Sequence, residues 1–306
     1  MTGRLVHTGQ VVVDLVMRVD SVPETGGDVL ASTTTLLPGG GFNVMAAAAR
    51  DGAPVLYAGA HGTGRFGDQA RAALRGEGIT IAQPPTEDRD TGVCVVLVDD
   101  DGERTFVTGT GAEAGLPPEL LRTVEVTPED VLYLSGYSLL HESNRAALLG
   151  WLPDVSVAAV LLDPGPLVGQ IPRDVLDTVL SKVDVLSCNA RESRVLTGLA
   201  DVGEAASALT DRLGSHAAVI VRDGPAGCVL AQQGTTRHIP GFPVTPVDTN
   251  GAGDTHCGVL AAALLGGADL AAAARRANAA AALSVLRHGP ATAPHAAEID
   301  AFLAEH

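Results

Sequence analysis

Lysine occurs once in the 306 residues, at Lys182, and that scarcity closes off several chemistries. The phosphate-loop pattern ending in Gly-Lys-Ser/Thr is absent. A Schiff-base mechanism would have only Lys182, in a segment that reads as a helix-to-strand connection. Aromatic residues make up 3% of the chain. A stacking platform for single-stranded nucleic acid is therefore not expected, and the core must be built from Ala, Val and Leu. Basic residues are outnumbered, 20 against 36 acidic, for a net charge of −16. Such a chain is a poor partner for nucleic acid or an anionic membrane surface. The four cysteines, Cys94, Cys188, Cys228 and Cys257, are not paired at short spacing, which argues against a cysteine zinc site. The nine histidines show no H-x-x-x-H spacing. Met1 to His7 lacks a signal-type apolar run, and no unbroken apolar stretch reaches membrane-spanning length. The expectation is a reduced, cytoplasmic, soluble protein.

What is present is a chain that can bury a large core, with 46% hydrophobic and 18% charged residues. From about residue 130 short β-rich runs alternate with helical patterns: 131–134, 155–162, 183–187 and 217–221 against 143–151, 173–180, 191–197 and 202–213. This predicts a mostly parallel sheet covered on both faces. Strand-like runs at 227–231 and 235–239 follow, then helices at about 252–265, 269–287 and 295–304. Nearer the N-terminus, Leu5 to Val16 reads as one strand with Asp14 close to its C-terminal end, where ligands of open α/β sheets sit. The Thr-rich stretch from Val19 to Leu37, with Pro23, Gly26 and Gly27, reads as a short antiparallel excursion. Two runs flanking Asp99-Asp100-Asp101-Gly102 read as a hairpin. Excursion and hairpin together predict a small sheet outside the main one.

The most chemically loaded stretch is Asp248-Thr249-Asn250-Gly251-Ala252-Gly253-Asp254, which opens into the Ala-rich run to Leu265. A glycine turn leading into a helix leaves backbone N–H groups unpaired and backed by the helix dipole, which makes an anion site. Asp254 at the helix start reads either as a cap or as a general base beside bound phosphate. His256 lies two positions on; its side chain would point away from Asp254, so it reads as packing or surface. Asn189-Ala190-Arg191-Glu192 fits a capping box, or alternatively an Asn and Glu that place a hydrated Mg²⁺. Arg222-Asp223-Gly224-Pro225-Ala226-Gly227 reads as a tight turn, or as backbone set against a nucleotide. Gly62-Thr63-Gly64-Arg65-Phe66-Gly67 matches G-x-G-x-x-G, with Glu87 twenty residues beyond, and carries the rival reading of an NAD(P)-dependent oxidoreductase.

Taken in order, these motifs resemble the ribokinase, or PfkB carbohydrate kinase, family. Asp248 to Asp254 resembles its C-terminal signature, and Pro38-Gly39-Gly40-Gly41-Phe42-Asn43 its N-terminal one. Asn189 to Glu192 is similar to its Asn-x-x-Glu motif, Gly102 to Phe106 to its lid strand, and Ala277 to Gly289 to its closing helix. The resemblance spans the whole chain and implies one ribokinase-like α/β kinase domain over 1–306. The domain would be a doubly wound, mostly parallel sheet with a β lid at about 17–37 and 91–109.

The implied reaction is transfer of the ATP γ-phosphoryl group to a primary hydroxyl of a sugar, with a nucleoside as the alternative acceptor. The implied roles are Asp254 as base, with Gly251, Ala252 and Gly253 forming the anion hole. Asp14, Gly39, Gly40 and Asn43 would bind substrate. Asn189, Glu192, Arg222, Gly224, Gly227 and Asn278 would bind nucleotide. Glu192 would act indirectly on Mg²⁺, and Asp248 would help a monovalent-cation site such as K⁺. A homodimer through the lid is a further expectation. Ser135-Gly136-Tyr137 stands where ribokinases proper carry a substrate-binding Glu, which argues against ribose. Asn43 follows the Gly39-Gly40 pair one residue earlier than is common, and Arg222 replaces a small hydroxyl residue.

Overall fold

The computed structural model describes residues 3–306. Met1 and Thr2, which begin the stretch read for a targeting signal, lie outside the described residues. The main sheet has nine strands, in the spatial order Thr235–Pro240, Gly227–Gln232, Ala218–Arg222, Val185–Asn189, Ala159–Asp163, Val131–Ser135, Leu5–His7, Val55–Tyr57 and Thr80–Ile81. The seven from Ala218–Arg222 to Thr80–Ile81 pair in parallel, and the hairpin strands Gly227–Gln232 and Thr235–Pro240 close one edge antiparallel. The central parallel strands read as near-continuous apolar runs because both of their faces are covered. One core, with Leu5, Val131 and Ile220, lies under the helices Gly41–Arg50, Ala252–Leu265 and Leu270–Ser284; the other, with Leu132, Leu162 and Val219, lies under Glu142–Trp151, Arg173–Leu180 and Val202–Thr210. No helix among the described residues is long and apolar enough to cross a membrane.

Beyond Leu5–His7 the strand order reverses. One path leads to Val55–Tyr57, the other to Val131–Ser135 and onward. Such a switch point leaves a crevice at the carboxyl ends of the strands. Ser135 pairs with Asp163, and Asn189 with Arg222, at that edge. Four adjacent strands thus end in polar residues at the carboxyl edge, Asn189 and Arg222 two residues further along than Ser135 and Asp163.

The second sheet has the order Thr33–Gly40, Val11–Arg18, Val93–Val98, Arg104–Gly109. Here the expected layout needs correction. The single strand read from Leu5 to Val16 is two strands in two sheets. The chain leaves the main sheet after His7, crosses at Thr8–Gln10 and enters the lid at Val11. Asp14 is accordingly a lid residue opposite Leu37 and not the end of a main-sheet strand. The excursion read from Val19 to Leu37 supplies strand only from Thr33 onward. The hairpin forms over Val93–Val98 and Arg104–Gly109, in antiparallel register.

Two helices from opposite ends of the chain set the geometry that follows. Gly41–Arg50 and Ala252–Leu265 pack closely enough that a Cβ at Gly258 would overlap the Val44 carbonyl oxygen and lie 2.7 Å from Ala47 Cβ. Gly258→Ala therefore has to push the helices apart, at a cost of about 1–3 kcal/mol. We expect a drop of several degrees in the thermal unfolding midpoint, together with reduced turnover. An unchanged midpoint would show that the helix contact is looser than described.

Candidate active site

The Gly251–Gly253 turn lies between two polar environments. Gly251 is left-handed (φ 74°) and precedes the first residue of Ala252–Leu265, and no side chain caps that helix. The Ala252 N–H makes only a long bond to the Thr249 carbonyl, 3.4 Å, so the start of this helix can offer N–H groups to a ligand. A side chain at Gly251 would also run into the Pro290 carbonyl.

On one side of the turn stands Asp254. Asn43, in the first turn of Gly41–Arg50, donates from Nδ2 to Asp254 Oδ2 at 2.9 Å. The other amide atom of Asn43, Oδ1, is buried without a partner, so it is ready to accept from a hydroxyl. Gly40 (φ 62°) is the cap position of that helix, and a side chain at Gly39 would collide with the Asp14 carboxylate. Asp14, Gly39, Gly40, Asn43 and Asp254 therefore form one cluster, as the sequence motifs require. Burial pushes the Asp14 carboxyl up to about 7, with repulsion from Asp254 adding to it. Burial likewise pushes Asp254 up to about 6, opposed by the hydrogen bond from Asn43. Both groups are held in a range where a carboxylate is a useful base. Tyr137, absent from the sequence reading as a site residue, has its phenol pushed up to about 12 by burial, with Asp254 adding to it.

On the other side is a cavity of about 480 Å³. Asn189, Arg222, Gly224, Gly253 and Asn278 line it together with the apolar Phe242, Val244 and Val285. Gly224 has open space where a side chain would be, facing the cavity. Gly227 serves packing as well: a side chain there would strike Ile239 and Gly241 backbone. Asn189 caps Ala190–Thr197 in a full capping box, with Glu192 Oε2 accepting from Asn189 N at 2.8 Å and Oε1 from Asn189 Nδ2 at 2.8 Å. The bland reading of that motif thus holds, and Glu192 has no carboxylate oxygen left without a partner.

Arg222 departs most from a simple nucleotide contact. Its Nη1 donates to Asp163 Oδ2 at 2.9 Å and to Cys257 Sγ at 2.7 Å, and reaches the Gly253 carbonyl at 3.3 Å. Its Nη2 lies 3.6 Å from Glu192 Oε2. Burial raises the Glu192 pKa, with repulsion from Asp163 adding to it and Arg222 opposing it. The part-buried guanidinium lies against the backbone of the Gly251–Gly253 turn. Asp163 was not flagged in the sequence, yet it ends a central strand at the carboxyl edge of the sheet, and that position is itself a signal.

Asp248 accepts from Asn250 N at 2.8 Å and Gly289 N at 3.0 Å, and it pairs with Arg104 of the lid. An ammonium-like charge is already supplied by the guanidinium, so these residues do not fit a potassium site. Among the described residues no group of three His, Cys, Asp or Glu side chains is placed to hold a metal.

The dinucleotide motif does not form a phosphate site. Asp90 accepts from the N–H groups of Phe66 (3.1 Å) and Gly67 (2.7 Å), the donors a pyrophosphate would need. Gly62 and Gly67 are small because backbone lies against them. The oxidoreductase reading loses its binding loop.

The comparisons with known proteins agree with this geometry. The family model for pfkB family carbohydrate kinases matches residues 3–297. The chain is 31% identical to an uncharacterized sugar kinase, YegV, of Escherichia coli (strain K12), covering 95% of this chain and 91% of that one. It is 32% identical to an ATP-dependent ribose-1-phosphate kinase of Halopiger xanaduensis, covering 99% and 98%. Among solved structures, a ribokinase from Thermotoga maritima superposes with a TM-score of 0.84 at 26% identity, covering 98% of this chain and 99% of that one. The chain belongs to the pfkB family of carbohydrate kinases and is a phosphotransferase that acts on a sugar-type hydroxyl.

Proposed function

We propose that this kinase transfers the ATP γ-phosphoryl group to a primary hydroxyl of a neutral sugar, with Asp254 as the general base. The single observation that carries the reading is the position of the Gly251–Gly253 turn. One side of it meets Asp254, Asn43 and Asp14; the other meets the cavity lined by Gly253, Arg222 and Gly224. A hydroxyl held by Asp14 and Asn43 would lie beside the base, and a triphosphate in the cavity would end at the N–H groups of the turn. Phosphoryl transfer requires mainly such positioning and charge stabilisation. The N–H groups of Gly251, Ala252 and Gly253 would hold the transferring group, and Arg222 would balance the charge arriving beneath them.

Asn189, Gly224, Gly227 and Asn278 would shape the nucleotide site. Magnesium fits there only through water, because both Glu192 oxygens are engaged and the ion commonly keeps several waters when bound to phosphates. When bound it would neutralise charge developing on the phosphate. No step runs through potassium at Asp248. The acceptor-side groups named here are carboxylates and an amide, which favours a neutral polyol over a phosphorylated sugar. A nucleoside is the second reading, and the same assay separates the two. The exposed lid strand with Phe106 and Val107 is the face through which two copies would pair, which sedimentation would reveal.

The direct assay is ADP release over pentoses, hexoses, sugar acids, sugar phosphates and nucleosides with Mg²⁺. Asp254→Asn should lower turnover about 10²–10⁴-fold while leaving ATP binding intact. Near wild-type turnover in that variant would remove Asp254 from the role of base. The same variant has a second expected effect. Because the folded-state Asp254 pKa is raised, its ionisation destabilises the free protein as pH rises through about 6. Asp254→Asn should therefore raise the unfolding midpoint at pH 8 and leave it unchanged at pH 4.

The pH profile of kcat/KM should show an acid limb near pH 6, above the usual carboxylate range. Asn43→Ala removes the hydrogen bond that favours the charged form, so its limb should move to higher pH. A limb that stays in place would mean that another group controls it. Finally, replacing potassium by choline should leave turnover within about twofold, since Arg104 already meets Asp248; a strong potassium requirement would overturn that assignment.

A further inference from the structure

His7 ends the strand Leu5–His7, where the chain leaves the main sheet for the lid, and its side chain is fully buried. Tyr57 and Tyr133 are its partners on the two neighbouring strands. The imidazole stacks on the Tyr133 ring at 4.8 Å and 14°, and the Tyr57 ring lies 6.3 Å away, so the ring is held in one orientation. Its Nδ1 accepts from the Gly9 N–H at 3.1 Å. An accepting Nδ1 puts the ring proton on Nε2. Burial pushes the pKa down to about 3, so the ring is neutral wherever the enzyme works.

Nε2 is buried without a hydrogen-bond partner. An unpaired N–H costs stability, and an apolar side chain would fill the space without that cost. Packing alone therefore does not call for histidine here. What the imidazole supplies, and leucine lacks, is the acceptor for Gly9. Gly9 lies in the Thr8–Gln10 crossing, outside both strands, so the His7 ring holds an N–H that no sheet ladder holds.

The crossing leads directly to the acceptor groups. A Cβ at Gly9 would lie 2.6 Å from His7 Cε1, and one at Gly41 would overlap Cε1 and lie 2.6 Å from Nε2. The ring is thus wedged between the crossing and the first residue of the helix Gly41–Arg50. The Gln10 carbonyl, next in the crossing, accepts from the Gly41 N–H at 2.7 Å, and a Cβ at Gly40 would lie 2.9 Å from that oxygen. Asn43 stands two residues beyond Gly41 and donates to Asp254. One set of contacts therefore runs from the His7 ring through Gly9 and Gln10 to Gly40, Gly41 and Asn43. We infer that His7 is a positioning residue: by holding the Gly9 N–H it sets where Gly39, Gly40 and Asn43 present themselves to the acceptor. The inference rests on the acceptor site proposed above.

The test compares His7→Asn, His7→Gln and His7→Leu in the full-length enzyme, with ATP and the pentose, hexose or nucleoside that turns over fastest in the ADP-release assay. Asn sets an acceptor oxygen close to the place of Nδ1, Gln sets its amide nearer Nε2, and Leu has the shape of Asn without the acceptor. Leu and Gln should raise the acceptor KM about tenfold, the factor of one hydrogen bond, with the ATP KM within about twofold. Asn should keep the acceptor KM within about threefold of wild type. Amide hydrogen exchange, which needs no acceptor, should quicken in Leu and Gln over residues 8–12 and 39–45 and stay near wild type in Asn. If Leu does not fold, the Asn and Gln variants decide. An Asn variant no better than the others would overturn the inference. So would exchange that quickens over the whole chain, or an ATP KM that rises with the acceptor KM, since both mark a packing role. Asn43→Ala separates the two readings. If it leaves the acceptor KM unchanged, the acceptor site is misplaced; if it raises that KM and His7→Leu does not, only the role of His7 fails.

Discussion

Asn43 and Asp254 are 211 residues apart in the chain, yet one donates to the other at 2.9 Å. That bond joins the first turns of two helices whose close approach depends on Gly258, and much else depends on it. It places the amide that would orient an acceptor hydroxyl against the carboxylate that would deprotonate it. It also favours the charged form of Asp254 against burial. A base in this position needs both effects. Burial alone would leave it protonated too far up the pH scale, and full hydration would leave it too weak. The N-terminal glycine turn and the C-terminal glycine turn are thus one device, built from the two ends of the sequence.

Charge is the second organising constraint. Asp163, Glu192 and Asp254 converge on the carboxyl edge of the sheet, and an incoming triphosphate adds more negative charge. The part-buried Arg222 pairs with Asp163 and Glu192 and reaches the backbone of the Gly251–Gly253 turn. Asp163 also ends the strand beside Val131–Ser135, so the cation is held by the sheet itself. A small hydroxyl residue in place of Arg222 would leave two buried carboxylates facing each other with nothing between them. The local sequence departs from the common family pattern at this position, and Asp163 and Cys257 are the partners that accommodate the departure.

The alternation of apolar strands and helices after residue 130 was legible because strands buried on both faces and helices with one buried stripe leave different periods. The turn from Asp248 to Asp254 was legible because glycine spacing and a helix start carry a mechanism. Asn189 and Glu192 were legible as a capping box for the same reason. What was hidden depended on contacts distant in sequence. The run from Leu5 to Val16 is apolar throughout, so nothing local marks its division between two sheets. The Gly62–Gly67 motif has the right spacing, but its N–H groups are occupied by Asp90, 23 residues beyond Gly67. His256, which reads from sequence as packing or surface, is buried; its neighbours come from segments that no local pattern reveals.

The lid is tied into the same device. Arg104, on its outer strand, meets Asp248, and Asp248 also accepts from the N–H groups of Asn250 and Gly289. Asn250 is the residue before the anion-binding turn, and Gly289 begins the loop whose Pro290 carbonyl presses on Gly251. Movement of the lid would therefore change the charge balance on a carboxylate that holds both segments shaping the turn. Asp14 lies on the second strand of the lid sheet and faces Gly39, so closing the sheet over an acceptor also brings a carboxylate onto it. Closure that excludes water would in this way bring the acceptor group and the phosphate-binding turn into position together. A kinase needs that coupling, because a turn assembled without an acceptor in place would pass phosphate to water.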